Sequence, residues 1–263
     1  MKILAIDTSG QQAGAAIVDE YITIGEIQLN ARTGEKSWHH SEILMPGVQH
    51  LFDLTGISPE SIDYVAYTAG PGSFTGLRIG VATALGMARA LEKPAIPVPT
   101  LDALAYNVLN MHTDGAVVPM MDARRGQVYA AIYESRKPSV GGDASQGSDN
   151  TGQYAAGLVR TTDYLALPVE SLAEKIHMTP VILLGDGVDA NRALLESLLP
   201  NAVLLPPNMN RQRASSVAVW ALNQLKNGYN PAENADKVDI MYIRDPQAVR
   251  DRNSIKNMRN GSL

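Results

Sequence analysis

The chain has 263 residues, and its 22 Lys+Arg against 27 Asp+Glu leave a formal charge of −5, which disfavours stand-alone binding to nucleic acid because phosphates need clustered cations. Aromatic residues at 5% are too few for a base-stacking platform, and the absence of cysteine excludes disulfides, Cys-ligated zinc, iron–sulfur clusters and thiol catalysis. Apolar residues at 45% and charged residues at 19% describe a folded chain with enough length for one large core or two smaller ones.

The first apolar run, Ile3 to Ile6, reads as a buried strand that stops at Asp7-Thr8-Ser9-Gly10. Asp7 comes too early for a signal peptide, and no run approaches the ~18 apolar residues of a membrane span, so the expected setting is cytoplasmic. Ala13–Val18 and Ile22–Leu29 read as strands, and Arg32–Ser41 as a loop. Ile43, Leu44, Val48, Leu51 and Phe52 recur at helical spacing, with Pro46 predicting a helix start or kink. Tyr64–Thr68 is a strand running into the turn residues Gly70-Pro71-Gly72-Ser73. A helix follows over Leu77–Leu91, then a strand over Ala95–Val98 and a helix over Leu101–Leu109 with Thr100 as its N-cap.

The second half repeats this grammar. Strands are expected at Ala116–Met121, Gln127–Glu134, Gln153–Arg160, Val181–Leu184 and Ala202–Leu204, and helices at Val169–His177, Val188–Leu199 and Ser215–Leu225. Each half reads strand, strand, strand, helix, strand, helix, strand, helix. The expected class is therefore α/β, two duplicated lobes, each a mixed sheet covered by helices. The lobes span residues 1–112 and 113–230, with a polar, flexible insertion at 138–152 and a locally basic tail at 231–263. The insertion reads as a long, mobile hairpin loop, with a recognition role as the alternative. The tail is either a solvated end or a contact for an acidic partner or tRNA.

Two constellations could carry chemistry. Asp7 and Asp122 each close the first strand of their lobe, where paired carboxylates could hold Mg²⁺ and a phosphate, or merely cap turns. Gly185 and Gly187, between a strand and a helix, could let a phosphate approach backbone donors, or merely permit a tight turn. His39, His40, His50, His112 and His177 form no metal-ligand spacing, and neither a P-loop nor a nucleophile elbow is present. The helix after Gly76 carries Gly76, Gly80, Ala84 and Ala88 in one row and Ala82, Gly86 and Ala90 in a second. A strip without bulk admits a close neighbour, either in its own lobe or in another subunit.

Ile3-Leu4-Ala5-Ile6-Asp7-Thr8-Ser9, His40-Ser41-Glu42-Ile43-Leu44-Met45-Pro46, Gly70-Pro71-Gly72-Ser73-Phe74-Thr75-Gly76-Leu77-Arg78 and Asp122-Ala123-Arg124-Arg125-Gly126 together resemble the TsaB (YeaZ) family. That family takes part in threonylcarbamoyladenosine (t6A) synthesis at position 37 of tRNA. The resemblance implies the actin, sugar kinase and heat-shock ATPase fold. It also implies a non-catalytic subunit that pairs with and activates the catalytic subunit TsaD, joined by the ATPase TsaE and reaching tRNA through the complex, with a homodimer when TsaD is absent. TsaD carries a metal-binding His-x-x-x-His where this chain has Thr100 and Leu104, so no catalytic residue, metal ligand or intrinsic cofactor is expected. ATP and metal would act on the partner subunits. Asp7, Asp122, Gly185 and Gly187 would remain as a degenerate nucleotide cleft. The partner surface implied is His40, Leu44, Val48 and Leu51 on the first helix with Gly76, Arg78, Gly80, Ala84, Met87 and Ala88 on the second. Gly80→Trp or Ala84→Trp would then abolish pairing without unfolding the chain. The competing readings are a small-molecule kinase of the same fold, a metallopeptidase disfavoured by the missing His pair, and a homodimeric scaffold without a tRNA role.

Overall fold

The computed structural model describes residues 1–30, 32–33, 36–37, 39–109, 111, 114–135, 158–231 and 240–243; the 138–152 insertion and most of the 231–263 tail lie outside them. β1 (Lys2–Asp7), β2 (Gln12–Asp19) and β3 (Thr23–Asn30) form an antiparallel meander. Where a plain loop was expected, β4 (Arg32–Thr33) and β5 (Lys36–Ser37) pair as a small hairpin. After α1 (His40–Thr55), β6 (Tyr64–Gly70) returns parallel to β1. α2 (Phe74–Ala90) then leads to β7 (Ala95–Pro99), parallel to β6. The sheet order is β3-β2-β1-β6-β7.

The second half has the same connectivity. β8 (Gly115–Asp122) is its central strand. Its first residues pair with β10 (Tyr133–Ser135) and its last with β9 (Gln127–Ala130). These pair in turn with β11 (Leu158–Arg160) and β12 (Leu165–Pro168). After α4 (Val169–Ala173), β13 (Val181–Leu184) runs parallel to β8, and β14 (Val203–Leu204) parallel to β13. The path β11-β10-β8-β13-β14 repeats the order of the first sheet. The class of two duplicated lobes, each a mixed sheet covered by helices, is therefore what the chain forms.

Several element boundaries differ from expectation for physical reasons. The single strand expected over Gln127–Glu134 breaks because Ala130, Ala131, Ile132 and Tyr133 are all buried, and four consecutive buried side chains break the two-residue alternation of a strand with one wet face. Thr161 N–H donates to Ile132 O at 2.8 Å and Ile132 N–H to Thr162 Oγ1 at 3.0 Å, closing the joint. The helix expected over Val188–Leu199 is two, α5 (Asp186–Ala190) and α6 (Arg192–Leu198). At the break, Asn191 Nδ2 donates to Gly187 O at 2.8 Å, a side-chain bond that competes with the helical ladder. α4 ends at Ala173 rather than His177. The expected Leu101–Leu109 helix is α3 (Thr100–Ala105) and a 3₁₀ turn over Tyr106–Val108; Pro99, not Thr100, is the N-cap. Pro46 does not start α1 but stands inside the helix. Its ring sits on the exposed face, while Leu44, Val48, Leu51 and Phe52 seal the opposite stripe onto the sheet, and that packing holds the helix through one lost hydrogen bond.

β1 shows how the layers are assembled. Ile3 and Ala5 face one core, Leu4 and Ile6 another, which is why the strand is apolar throughout. The second core lies beneath α1 and α2. The first lies between the two sheets and is filled by α3 and α7 (Ala214–Lys226). α7 comes from the second half but packs on β1 and β2, and α3 comes from the first half but packs on β8. A third core, including Val118, Met120, Leu183 and Leu195, lies on the far face of the second sheet. The sheets follow the sequence division at residues 112 and 113; the middle helices cross it.

Candidate functional site: two strand-end carboxylates and a two-helix surface

β1 delivers Asp7 to the end of the first sheet, only 4% exposed. Its Oδ1 accepts from Ser9 N–H at 2.8 Å, Ser9 Oγ at 2.7 Å and Thr68 Oγ1 at 3.2 Å. Burial pushes this carboxyl above the usual range, against the pull of the Ser9 and Thr68 bonds and of His40. The turn beyond it is pressed under the start of α2. Ser73 N–H donates to Ser9 O at 2.7 Å, and Thr8 Oγ1 to Gly76 O at 2.7 Å. A Cβ on Gly72 would stand 2.5 Å from Ser9 O. On the other side, a Cβ on Gly10 would meet the Gln212 side chain at 3.2 Å. The Thr8–Ser9 turn is thus packed on one side by the start of α2 and approached on the other by Gln212.

In the second lobe, Asp122 Oδ1 accepts from Arg124 N–H at 2.8 Å and its Oδ2 pairs with Arg124 Nη1 at 3.2 Å. Its own N–H donates to Asp186 Oδ1 at 3.1 Å. Burial raises the Asp186 carboxyl and the Asp122 charge adds to that, while the Asp122 N–H, Arg211 and Gln212 oppose it. Asp189 takes Arg211 at 2.7 Å and Arg192 at 3.2 Å. Gly185, at φ 109°, would carry a Cβ 1.9 Å from Met120 O, and Gly187 one 2.9 Å from Met121 C. Both glycines let α5 close onto β8. The Gly185 N–H already has Asn210 Oδ1 at 2.7 Å. Of the expected cleft residues, Asp122, Gly185 and Gly187 gather at the start of α5. Asp7 keeps a separate set of partners in the first lobe. Among the described residues, no three His, Asp or Glu side chains are grouped to hold a metal ion.

The residues expected at a partner surface divide by burial. Leu44, Val48 and Leu51, and Gly76, Gly80, Ala84 and Ala88, lie inside the lobe's own core. The reason at Gly80 is steric: its Cβ would fall 2.1 Å from Thr8 Oγ1. The glycine row therefore serves a close approach within the lobe, and Gly80→Trp tests folding rather than pairing. His40, Arg78 and Met87 reach the surface. So does the second small-residue row, Ala82, Gly86 and Ala90; on α1, Met45 and Leu54 are 46% and 71% exposed, on opposite sides of the helix. Around a Cβ on Gly86 there is open space.

The family model described as TsaD, tRNA N6-adenosine threonylcarbamoyltransferase, matches residues 33–251. A Bacillus subtilis protein, tRNA threonylcarbamoyladenosine biosynthesis protein TsaB, is 33% identical over 204 residues, which is 76% of this chain and 77% of that one. The chain belongs to the TsaB family. The Escherichia coli TsaB is 36% identical over 134 residues, a match spanning 51% of this chain and only 55% of that relative. Among solved structures, YeaZ from Pseudomonas aeruginosa superposes with a TM-score of 0.65 at 21% identity, over 92% of this chain and 99% of that one, a likeness of fold. Among the described residues of this TsaB-family chain, no helix is long and apolar enough to cross a membrane.

Sequence reasoning missed three features. Asp102 on α3, 1% exposed, accepts from the Tyr133 hydroxyl on β10 and lies 4.0 Å from Arg160 Nε on β11, joining the two halves of the TsaB chain. Ile240–Ile243 return from the tail to the first lobe: Met241 N–H donates to Ala69 O at 2.7 Å, and Arg78 Nε to the Tyr242 hydroxyl at 3.3 Å. Arg124 and Arg125 hold φ of 63° and 58°. The Gly-Pro-Gly and Asp-Ala-Arg-Arg-Gly motifs mark two of these places, but no pattern in the sequence marks Asp102 against Tyr133.

Proposed function

We propose that this chain is a non-catalytic subunit of the machinery that makes t6A at position 37 of tRNA, and that it pairs with and activates a TsaD subunit. The observation that carries the reading is the match to the Bacillus subtilis TsaB across three quarters of the chain. The geometry supports an accessory role. Ser9 N–H and its hydroxyl, which could face a phosphate, are turned onto Asp7 instead, and Thr8 Oγ1 onto Gly76 O, which supports a turn serving the fold rather than a kinase substrate. Thr100 and Leu104, which stand where TsaD resembles this chain but has histidines, are 0% and 1% exposed, and neither side chain is a transition-metal ligand.

The pairing surface proposed is the outward row of α2, Arg78, Ala82 and Gly86, with half-buried Met87 at its edge, and one exposed flank of α1, which carries Met45 on one side and Leu54 on the other. A row of small residues on an exposed helix face suits close helix-on-helix packing with another subunit. The same face would serve a homodimer. TsaE and tRNA would join through the complex, and the chain itself would need neither nucleotide nor metal. The test is a reconstituted assay on unmodified tRNA with threonylcarbamoyl adenylate, TsaE and ATP. The expected result is product only when this chain and TsaD are both present. Product from this chain alone would overturn the non-catalytic reading; equal product with and without it would overturn the accessory role. Ala82→Trp should leave the melting temperature unchanged and abolish co-elution with TsaD, since its site faces solvent; retained co-elution would move the interface elsewhere.

A further inference from the structure

The hairpin between β8 and β9 is built in an unusual way. Ala123 N–H donates to Gln127 O at 3.0 Å and Gln127 N–H to Arg124 O at 3.2 Å. The turn between them has Arg125 at φ 58° and Gly126 at φ 72°, and Arg124 before it is also left-handed at φ 63°. Positive φ at both central positions is the signature of the type I′ hairpin turn, which selects Asn, Asp or Gly at the first of them. Here that position holds arginine, and a second arginine precedes it in the same disfavoured region. A side chain kept where the backbone resists it points to a use for the side chain.

The surroundings narrow that use. Asp122 fixes the turn by accepting from Arg124 N–H at 2.8 Å, and pairs with the Arg124 guanidinium at 3.2 Å although that side chain is 70% exposed. Arg125 is exposed and has no hydrogen bond or ion pair among the described residues. Arg124, Arg125 and Gly126 are all exposed, with open space around Gly126 and no large apolar side chain among them. A tip without an apolar core has little to offer a protein interface, which draws its energy from desolvated anchors. Phosphate contacts need only charge and a planar fork of donors. With a net charge of −5, the chain as a whole repels a polyanion, so any contact with one has to be made by a local, protruding cation.

We propose that the Arg124–Arg125 hairpin tip is a phosphate-contacting element that takes the sugar–phosphate backbone of an RNA, with Asp122 as the residue that positions it. The proposal rests on the reading above that the chain works in a tRNA-modifying assembly. The test uses the full complex of this chain with TsaD and unmodified tRNA, comparing wild type with Arg125→Asn and Arg125→Lys. Arg125→Asn places a residue favoured by the turn. It should raise or preserve the melting temperature and leave co-elution with TsaD intact. It should also weaken tRNA binding and make the plot of log affinity against log salt shallower by about one unit. Arg125→Lys should keep most of the salt slope. An unchanged slope in Arg125→Asn, with wild-type t6A formation normal, would overturn the phosphate contact and leave the accessory function standing. Loss of TsaD co-elution in Arg125→Asn would show that the tip meets protein, and would also overturn it. Absence of t6A formation by the wild-type complex would instead fail the functional reading itself.

Discussion

Buried Asp7 and half-buried Glu26 respond to protons in opposite directions, and the difference lies in their partners. Asp7 has hydroxyl and amide donors but no bonded cation, so burial leaves its folded pKa raised. The folded chain then holds that proton more tightly than the unfolded chain. The resulting stabilisation is present below the unfolded pKa and is lost as pH rises through the folded one. Asp7→Asn keeps an acceptor oxygen and removes the desolvated charge, so at pH 7 it should melt at or above the wild-type temperature. That advantage should vanish near pH 3, read by calorimetry across pH. Glu26 on β3 is also penalised by burial, but Arg213 and the N–H and hydroxyl of Ser215, at 3.0 and 2.8 Å, outweigh it and lower its pKa. Its contribution is full above the unfolded carboxylate pKa and is lost as pH falls through the depressed one. With the Arg213 side chain 41% exposed to screening water, Glu26→Gln should cost about 1–2 kcal/mol at pH 7. The cost should shrink toward pH 3, measured by urea midpoints.

α2 illustrates what an element's sequence does and does not say. Its small residues at four-residue spacing are plain in the sequence, and they imply close approach by something. What approaches is Thr8, whose hydroxyl donates to Gly76 O while its side chain fills the space over Gly80. Thr8 lies 68 positions away from Gly76, so no local pattern could name it. The glycines on this one helix should therefore behave oppositely. Gly80→Ala drives a methyl into a buried, bonded hydroxyl and should cost about 2–3 kcal/mol. Gly86→Ala enters open space on a helix and should gain up to about 1 kcal/mol. Chemical denaturation of both variants checks the pair. Element boundaries were misjudged where side chains override the helical or strand period. Asn191 bonds Gly187 O and divides a helix; the buried run Ala130–Tyr133 bends a strand. Pro46 stands inside α1, where the sealed stripe beneath it holds the helix together.

At the scale of the molecule, the repeated strand order makes two lobes, yet α3 and α7 are exchanged between them and share one core. Ile3 and Val98 of the first sheet and Val117 and Ile182 of the second belong to the same buried cluster as Leu104 and Val217. The Tyr133–Asp102 hydrogen bond, with Arg160 Nε 4.0 Å from the same carboxylate, ties the same layer together. Halves joined in this way should unfold in one step. Leu104→Ala removes a fully buried side chain from the shared layer and should cost about 2–5 kcal/mol. The transition should remain single, with coincident near- and far-ultraviolet dichroism curves; two separated transitions would show independent lobes.

The sequence alone determined the class and the order of the main strands and helices, though not the β4–β5 hairpin or β12, because apolar periodicity and turn residues are local properties of the chain. It also carried the family, since motifs such as Gly-Pro-Gly-Ser-Phe-Thr-Gly are contiguous, and the comparison with TsaB relatives agrees. Tertiary structure decided which face of each helix is free. Whether Gly80 or Gly86 looks outward depends on where Thr8 sits, and burial is a property of pairs of segments rather than of one. It decided also that Asp7 and Asp122 serve different neighbourhoods, one the Thr8–Ser9 turn and the other the Arg124 hairpin. Two carboxylates at equivalent strand ends look alike in sequence; the groups that meet them come from elsewhere in the chain, and folding alone brings those together.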